Sequence, residues 1–254
     1  MSMFSIIIPA YNQPRLLERA VGSILRQDIN DYEIIITDDS TNDEIRLCVE
    51  NLNVPQIIYL RHEPTGHAVD NWNFGLRHAS GQYIILMHHD EAMIGSNYLN
   101  RTRQLLDQGA DIVISDIEVV HDKKKASHLT TWMKKTIIAH PEWLFLINAI
   151  GPCACITFRR EQTIEFCNSL EWLVDVEWYY RLLTGKQAVF TSKCQMQSVH
   201  GHAAQLSRTL DVRKSFDADK LILQQKYKDN LKVRWMIILY ELLIVRTKII
   251  LGKI

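Results

Sequence analysis

The N-terminal part of the chain repeats one pattern: a short run of apolar, mostly β-branched residues, a polar loop, and a segment with apolar residues at helical spacing. Parallel strands need a crossover connection, usually a helix, so repeated strand and helix segments indicate a parallel sheet. The pattern therefore predicts an α/β fold with a mainly parallel sheet flanked by helices. The four apolar runs are FSIII (4–8), YEIIIT (32–37), QIIYL (56–60) and QYIILM (82–87).

A polar loop follows each of these runs. In open sheets of this kind, ligands bind outside the carboxyl ends of the strands. We therefore expect the four loops to share one rim that forms a binding site. They are PAYN (9–12), TDDST (37–41), RHEPTGH (61–67) and HHDE (88–91).

Charge and cysteine content restrict the classes of function. Lys plus Arg and Asp plus Glu number 29 each, so overall charge does not favour nucleic acid as a partner. The five cysteines include a Cys-Ala-Cys at 153–155 but no Cys-x-x-Cys, which favours reduced structural thiols. The first twelve residues lack the basic segment and the length of a signal peptide and resemble a first strand. We therefore expect a cytoplasmic protein.

The second half of the chain is less regular. DIVISDIEVV (111–120) predicts a fifth strand, and the basic stretch that follows it, HDKKKASHLTTWMKK (121–135), lacks periodicity and predicts a mobile loop. The remaining segments predict helices at 140–150 and 169–185, strands at 153–158 and 187–191, and two further helices at roughly 211–229 and 231–251.

Acidic residues and histidines supply candidate chemistry at the rim. Asp38 and Asp39 follow a strand, and two adjacent carboxylates suit a polar ligand edge such as a nucleobase or ribose, although a helix cap is the alternative. Asp90, with a neighbouring histidine or Glu91, suits a divalent cation. Solvated polar residues at the end of a buried strand are the alternative there.

Two later segments also carry titratable groups. EWLVDVEWYYRLL (171–183) sets Glu171, Asp175 and Glu177 among aromatic residues, where a carboxylate with a raised pKa can act as a general base. An amphipathic helix with solvated acids is the alternative. His200 and His202 lie two residues apart and resemble a ligand pair, although such pairs are often incidental.

In order and spacing, four segments resemble the family 2 glycosyltransferases, which are inverting enzymes of the GT-A fold that use nucleotide-sugar donors. The resemblance covers residues 4 to about 115 and rests on two looser motifs from about 140 to 207. It implies a Rossmann-like GT-A domain over 1–210, with a nucleotide-binding half at about 1–118, an acceptor half at about 140–210, and a helical extension over 211–254. The segments are SIIIPAYNQPRLLERAVGSILRQ, YEIIITDDSTND, the N-x-G-L of 73–76, and ASGQYIILMHHDE.

The resemblance also implies donor-binding roles. Asp38 and Asp39 would contact the base and ribose. Asp90 falls on the last acid of the family's Asp-x-Asp motif and would bind Mn²⁺ or Mg²⁺ through the diphosphate, whereas His88 and His89 stand where an acid is usual. His202, five residues before Ser207, fits a metal or diphosphate contact better than His200. The full donor-binding set is Pro9, Tyr11, Asn12, Asp38, Asp39, Asn73, His89 and Asp90.

The catalytic base of the family is the Asp of a Glu-Asp pair that an arginine follows six residues later. Val174-Asp175 occupies the place of this pair, with Val174 where the family has Glu, and Arg181 follows at the family's spacing. Asp175 is therefore implied as the base, and Glu177 is the reserve candidate. The implied reaction moves a sugar, with UDP as the expected nucleotide, to a glycan or lipid-linked acceptor of bacterial surface polysaccharide. A non-catalytic nucleotide-sugar-binding scaffold is the alternative. A nucleotidyltransferase is disfavoured because PAYNQPR lacks a glycine-rich phosphate loop.

The last predicted helix is mostly apolar. Arg234, Glu241 and Lys248 recur every seven residues and form one narrow polar stripe. The uncharged runs are shorter than the roughly 20 residues that a membrane span needs. Trp235 and the flanking basic residues therefore predict a helix that lies on the inner membrane surface. A contact with the domain or with a second subunit of a homo-oligomer is the alternative.

Overall fold

The computed structural model describes residues 2–121, 124–127, 131–200 and 210–245. Within them, nine strands form one sheet: β1 (Phe4–Ala10), β2 (Tyr32–Asp38), β3 (Ile57–Arg61), β4 (Tyr83–Leu86), β5 (Glu91–Met93), β6 (Ile112–His121), β7 (Lys124–Ser127), β8 (Ile156–Arg159) and β9 (Ala188–His200). Their order across the sheet is β3-β2-β1-β4-β8-β6-β9-β5, and β7 pairs with β6.

Helices flank this sheet. They are α1 (Pro14–Leu25), α2 (Glu44–Leu52), α3 (Ala68–His78), α4 (Tyr98–Asp107), α5 (Thr131–Ala139), α6 (Val174–Leu183), α7 (Val212–Lys226) and α8 (Leu231–Tyr240). A π-helical turn, Glu241–Val245, continues α8. Short 3₁₀ helices cover Pro141–Phe145, Cys153–Cys155 and Arg160–Gln162.

The N-terminal half of the sheet is parallel, as the repeated pattern predicts. β1 runs parallel to β2 and β4, and β2 runs parallel to β3. Every residue of β1, β2 and β4 is buried, because helices cover both faces and the side chains on each face need apolar neighbours. The other half is mixed: β8 is antiparallel to β4 and β6, whereas β6 and β9 are parallel.

The glycine of the N-x-G-L motif has a packing role. A Cβ at Gly75, on α3, would overlap the side chain of Ile7 in β1. Glycine therefore allows α3 to approach the sheet closely at this point.

Four predicted elements in the second half differ from the structure. The predicted loop over 121–135 is wrong: it contains β7 and the start of α5, with residues 122–123 and 128–130 outside the described part. The helix predicted over 140–150 is limited to the 3₁₀ helix Pro141–Phe145. The strand predicted from 153 begins at Ile156, and α6 begins at Val174 rather than 169.

The C-terminal helices pack on the same core as the sheet. Phe216 and Leu223 of α7, and Val233 and Ile237 of α8, are fully buried in it. The division into a domain over 1–210 and an extension over 211–254 stays a prediction.

Candidate active site

The carboxyl ends of three neighbouring strands form the rim of the site. Ala10 at the end of β1 pairs with Asp38 at the end of β2. Past the end of β4, the backbone N–H of Met87 donates to the carbonyl of Ile7. The loops after β1, β2 and β4 therefore start side by side, as the sequence predicts.

Asp38 is an anchor within this rim. Its side chain is fully buried, and its Oδ2 accepts hydrogen bonds from the Arg61 guanidinium and the Tyr59 hydroxyl, both at 2.7 Å. Its Oδ1 accepts from the backbone N–H of Ser40 at 2.9 Å. Both oxygens are engaged by the protein, so Asp38 orders the loop that carries its neighbour.

Asp39 lies beside this anchor in a different environment. It is buried, and burial raises the pKa of its carboxyl to about 6, with the negative charge of Asp38 acting in the same direction. Above this pH it is an acceptor-only group that suits the hydroxyl or N–H donors of a ligand.

The raised pKa of Asp39 predicts a pH-dependent cost to stability. Its pKa in the unfolded chain is about 4. The folded state therefore tolerates the neutral carboxyl without cost below pH 4, and it loses stability as pH rises through about 6 and the buried group ionises. We expect Asp39→Asn to raise the free energy of unfolding by about 1–3 kcal/mol at pH 8 and by less than half of that gain at pH 4.5. Urea unfolding at both pH values measures the change, with exposed Asp43→Asn as the control. An equal gain at both pH values would contradict this cause.

The loop after β1 is fastened to the loop after β2. Asn12 has a left-handed backbone, with φ of 49°, a conformation that asparagine tolerates better than most residues. Its N–H donates to Oγ of Ser40 at 2.8 Å, and its Oδ1 accepts from the N–H of Thr41 at 3.2 Å. Tyr11 is exposed beside it, and the carbonyl of Pro9 lies 3.2 Å from Nδ1 of His89.

His88 and Glu91 form a pair after β4. The buried carboxylate of Glu91 accepts the backbone N–H of His88 at 2.7 Å, and its other oxygen lies 3.6 Å from Nδ1 of the ring. Burial lowers the pKa of His88, but neighbouring carboxylates outweigh this and raise it to about 9, with Glu91 contributing most. Asp90 and Asp175 act in the same direction.

Asp90 is held through its backbone by Arg19, a residue that the sequence analysis missed. Nη1 of Arg19, on α1, donates to the Asp90 carbonyl at 3.1 Å, and the N–H of Val199 in β9 donates to the same oxygen at 3.1 Å. Arg19 also donates to the side chain of Gln197. No sequence signal marks Arg19, because it lies within an ordinary amphipathic helix.

Asp175 occupies the first turn of α6. Its Oδ1 accepts a hydrogen bond from Sγ of Cys153 at 3.6 Å. Burial raises the pKa of this carboxyl, whereas the positive charge of His88 lowers it. The 3₁₀ helix that contains Cys153 contacts β4. The start of α6 therefore lies near β4, and the charges of Asp175 and His88 influence each other although the two residues are 87 apart in the chain.

Three predicted site residues contact protein groups elsewhere. Glu177 is fully buried and accepts from Arg181 at 2.7 Å and Lys226 at 2.8 Å, in an ion cluster of its own. The amide of Asn73 bonds in both directions to the backbone of Phe166. The donor-binding role of Asn73 and the catalytic roles of Glu177 and Arg181 stay predictions.

Of the predicted histidine pair, only His200 belongs to the described residues. His200 ends β9 opposite His121 of β6. His202 lies in 201–209, outside the described residues.

The rim residues suit a divalent cation that is bound jointly by a protein carboxylate and by the phosphates of a donor. Among the described residues, no group of three or more His, Cys, Asp or Glu side chains forms a metal cage. Mg²⁺ usually keeps several waters and takes one or two carboxylates together with substrate phosphates. A partly exposed carboxylate at the rim, that of Asp90, meets this requirement.

Comparison with known proteins identifies the family. The family model described as Glycosyl transferase family 2 matches residues 5–166, more than half of the chain. The chain belongs to glycosyl transferase family 2. This confirms the family and the class of enzyme that the sequence predicts. Asp175 lies beyond the matched residues of this glycosyltransferase, and its catalytic role stays a prediction.

The fold of the chain is similar to that of a solved structure. The glycosyltransferase superposes on Staphylococcus aureus TarS 1–349, solved in complex with UDP-GlcNAc, with a TM-score of 0.72 and 16% identity. The match covers 98% of this chain and 73% of TarS 1–349. The GT-A fold prediction is therefore confirmed.

Curated relatives of known activity match part of the glycosyltransferase. The Campylobacter jejuni GalNAc(5)-diNAcBac-PP-undecaprenol β-1,3-glucosyltransferase is 34% identical over 43% of this chain and 36% of its own length. The Escherichia coli UDP-Glc:α-D-GlcNAc-diphosphoundecaprenol β-1,3-glucosyltransferase WfgD is 24% identical, over 47% of each chain. The chain thus spans less than half the length of these two relatives. An uncharacterized Mycobacterium tuberculosis protein is 25% identical over 84% of this chain and 72% of its own.

Proposed function

We propose that this protein is an inverting glycosyltransferase that moves a sugar from a UDP-sugar to a hydroxyl of a lipid-linked glycan. The proposal rests on the mutual influence of the charges of Asp175 and His88, which brings the start of α6 near the loop after β4. That loop starts beside the loop that carries Asp39. The Escherichia coli relative WfgD, whose name gives UDP-Glc, supports the choice of donor. Both relatives are named for undecaprenol-linked diphosphate glycans, which supports the choice of acceptor.

In this mechanism the rim binds the donor before any bond changes. Asp39 accepts hydrogen bonds from the base or ribose, and Asp38 keeps the loop in place. Asp90, with His202 as the second candidate ligand, would hold Mn²⁺ or Mg²⁺ against the diphosphate. A cation there would supply positive charge for the departing diphosphate.

Asp175 then acts on the acceptor. Its carboxylate takes the proton of the acceptor hydroxyl while that oxygen bonds to the anomeric carbon from the side opposite the nucleotide. The bond between this carbon and the diphosphate oxygen breaks, and UDP leaves. A single displacement of this kind inverts the configuration and forms no covalent sugar intermediate. The raised pKa of Asp175 suits the role, because a more basic carboxylate accepts a proton more readily.

Calorimetry with a panel of nucleotide sugars tests donor binding. We expect a UDP-sugar to bind in the presence of Mn²⁺ and to bind much more weakly after chelation, since Asp90 alone repels a diphosphate. Equal affinity after chelation would contradict the metal role. Binding of no nucleotide sugar would contradict the proposed function, and binding without any turnover would favour the non-catalytic scaffold.

The acceptor side carries an apolar surface. Trp132 on α5 and Trp235 on α8 are 65% and 61% exposed, although Val233 and Ile237 bury another face of α8 in the domain. None of the helices in the described part of the chain is long and apolar enough to cross a membrane. An apolar groove of about 260 Å³ lies nearby, lined by Trp132, Met133, Thr136, Ile137, Trp143, Leu146, Ile147 and Leu243.

These features favour contact with a membrane surface that carries the acceptor. Exposed tryptophans suit the boundary between headgroups and acyl chains, and Lys232, 77% exposed on α8, suits anionic lipid. We expect the full chain to co-sediment with vesicles that contain anionic phospholipid. We expect Trp132→Ser/Trp235→Ser to bind them about tenfold or more weakly, because two aromatic side chains leave the interface.

Leu47→Ser is the matched control, since Leu47 is an exposed apolar residue on α2 in the nucleotide-binding half. If the wild type stays in the supernatant and the double variant changes only the oligomeric mass, the surface is a contact between subunits.

A further inference from the structure

The three residues before α6 are held by one carboxylate from another helix. Asp219, on α7, is fully buried. Its Oδ1 accepts the backbone N–H of Glu171 at 2.9 Å, and its Oδ2 accepts those of Trp172 at 2.8 Å and Leu173 at 2.7 Å. Leu173 is the N-cap residue of α6, and its own apolar side chain makes no capping hydrogen bond.

Asp219 therefore fixes the turn that leads into α6, including the N–H of its N-cap residue. The first N–H groups of a helix and of the turn before it lack partners within the helix. A negative charge at this end also interacts favourably with the helix dipole. Because α6 carries no polar N-cap residue, α7 supplies the acceptor.

Two further contacts hold the same segment. Oγ of Ser215, also on α7, donates to the side chain of Glu171 at 2.7 Å. Nε1 of Trp172 donates to the hydroxyl of Tyr240, at the end of α8, at 3.0 Å. Both C-terminal helices thus form hydrogen bonds to residues 171–173, which lie outside the residues that the family model matches.

Asp175 lies two residues after the capped position. With a rise of 1.5 Å per residue, its backbone is about 3 Å farther along the helix axis than that of Leu173. A movement of the cap is therefore transmitted to Asp175 almost undiminished. A displacement of about 1 Å at a catalytic group can cost on the order of 100-fold in rate.

We infer that Asp219 is a positioning residue that sets the place of Asp175 in the active site, and that α7 and α8 are needed for catalysis through this contact. The inference rests on the proposed function, in which Asp175 is the general base. Asp219 itself is too deeply buried to touch either substrate.

The test is Asp219→Asn in the full chain. Asparagine keeps one acceptor oxygen and turns an NH₂ group toward backbone donors, so at least one of the three bonds is lost. We expect kcat to fall about 10- to 100-fold while the Kd for the UDP-sugar stays within about twofold. Asp217→Asn, which removes an exposed acid from the same helix, is expected to change neither value.

A double variant separates positioning from a general loss of folded protein. In the Asp175→Asn background, Asp219→Asn is expected to cause no further loss of residual turnover, because the group that it positions is already absent. Loss of the same factor in both backgrounds would overturn the inference. So would an unchanged kcat for Asp219→Asn in a protein whose Asp175→Asn variant loses turnover about 100-fold or more.

Failure of the proposed function gives a different result, because wild-type protein would then show no transfer and Asp175→Asn would change nothing.

If Asp219→Asn does not fold, Ser215→Ala/Tyr240→Phe replaces it as a milder change to the same segment. We then expect about a fivefold or larger fall in kcat with donor affinity kept. An unchanged kcat in this folded variant would overturn the inference.

Discussion

Replacing Asp175 by asparagine is expected to lower turnover about 100- to 10,000-fold, the range that loss of a general base produces. Asparagine has nearly the same shape but accepts no proton at neutral pH. Donor affinity should stay within about twofold, because the proposed donor contacts come from the loops after β1, β2 and β4. Initial rates at saturating donor, together with calorimetry of donor binding, measure both effects.

Glu165→Gln is the matched control for this variant. Glu165 is an exposed acid whose carboxylate pairs with Arg77 at 2.9 Å, away from the site described above. Its removal should leave kcat unchanged, since exposed ion pairs contribute little. If Asp175→Asn keeps wild-type turnover, Asp175 is not the base.

Glu177→Gln is expected to act on stability instead. Glu177 is fully buried, and burial alone would raise the pKa of its carboxyl, yet Arg181 and Lys226 outweigh this and lower it. The Tyr227 hydroxyl donates to the same carboxylate at 2.7 Å. A neutral amide would leave the two cations without a counter-charge. We expect the free energy of unfolding to fall by about 3 kcal/mol. This is the lower end of the range for breaking a buried ion pair, because Arg181 and Lys226 are both partly exposed.

Urea unfolding measures this change, and Glu50→Gln, which breaks an exposed pair with Arg46 on α2, is the control. Turnover per folded molecule should be kept in Glu177→Gln. A change in stability below about 1 kcal/mol would contradict the stabilising role of this ion cluster. Loss of turnover in Glu177→Gln, with Asp175→Asn still active, would show that the register assigned to α6 is wrong.

The sequence predicts the parallel half of the sheet well because each strand carries its own signal. β1, β2 and β4 are buried on both faces, so every position must be apolar or paired, and the runs stand out. β7 has no such signal, since it forms by pairing its backbone with β6. The helix α5 is hard to recognise in its basic stretch, in part because one of its lysines is buried. Nζ of Lys134 lies 2.7 Å from Oδ1 of Asp116.

Some features of the candidate site can also be recognised from the sequence, whereas others depend on contacts between distant elements. Asp90 and Asp175 are recognisable because strand ends and motif spacing place them. Asp38 and Asp39 look alike in sequence, and only the partners that β3 supplies, Tyr59 and Arg61, distinguish an anchor from a buried carboxylate with a raised pKa. Supporting contacts that join distant elements, such as those of Arg19, leave no local pattern. Arg19 alone is an ordinary helical residue, and its partners, Asp90 and Gln197, lie in a distant turn and strand.

The central claim is that this chain transfers a sugar with inversion. Proton NMR of the full chain with an α-linked UDP-sugar, Mn²⁺ and a diphosphate-linked glycan acceptor tests it most directly, because the anomeric signals report the configuration of donor and product. We predict that the α-anomeric signal of the donor declines while the signal of a β-linked product grows, and that Asp175→Asn slows both changes about 100- to 10,000-fold. An α-linked product, or a donor that is not consumed with any of the nucleotide sugars and acceptors offered, would contradict the claim.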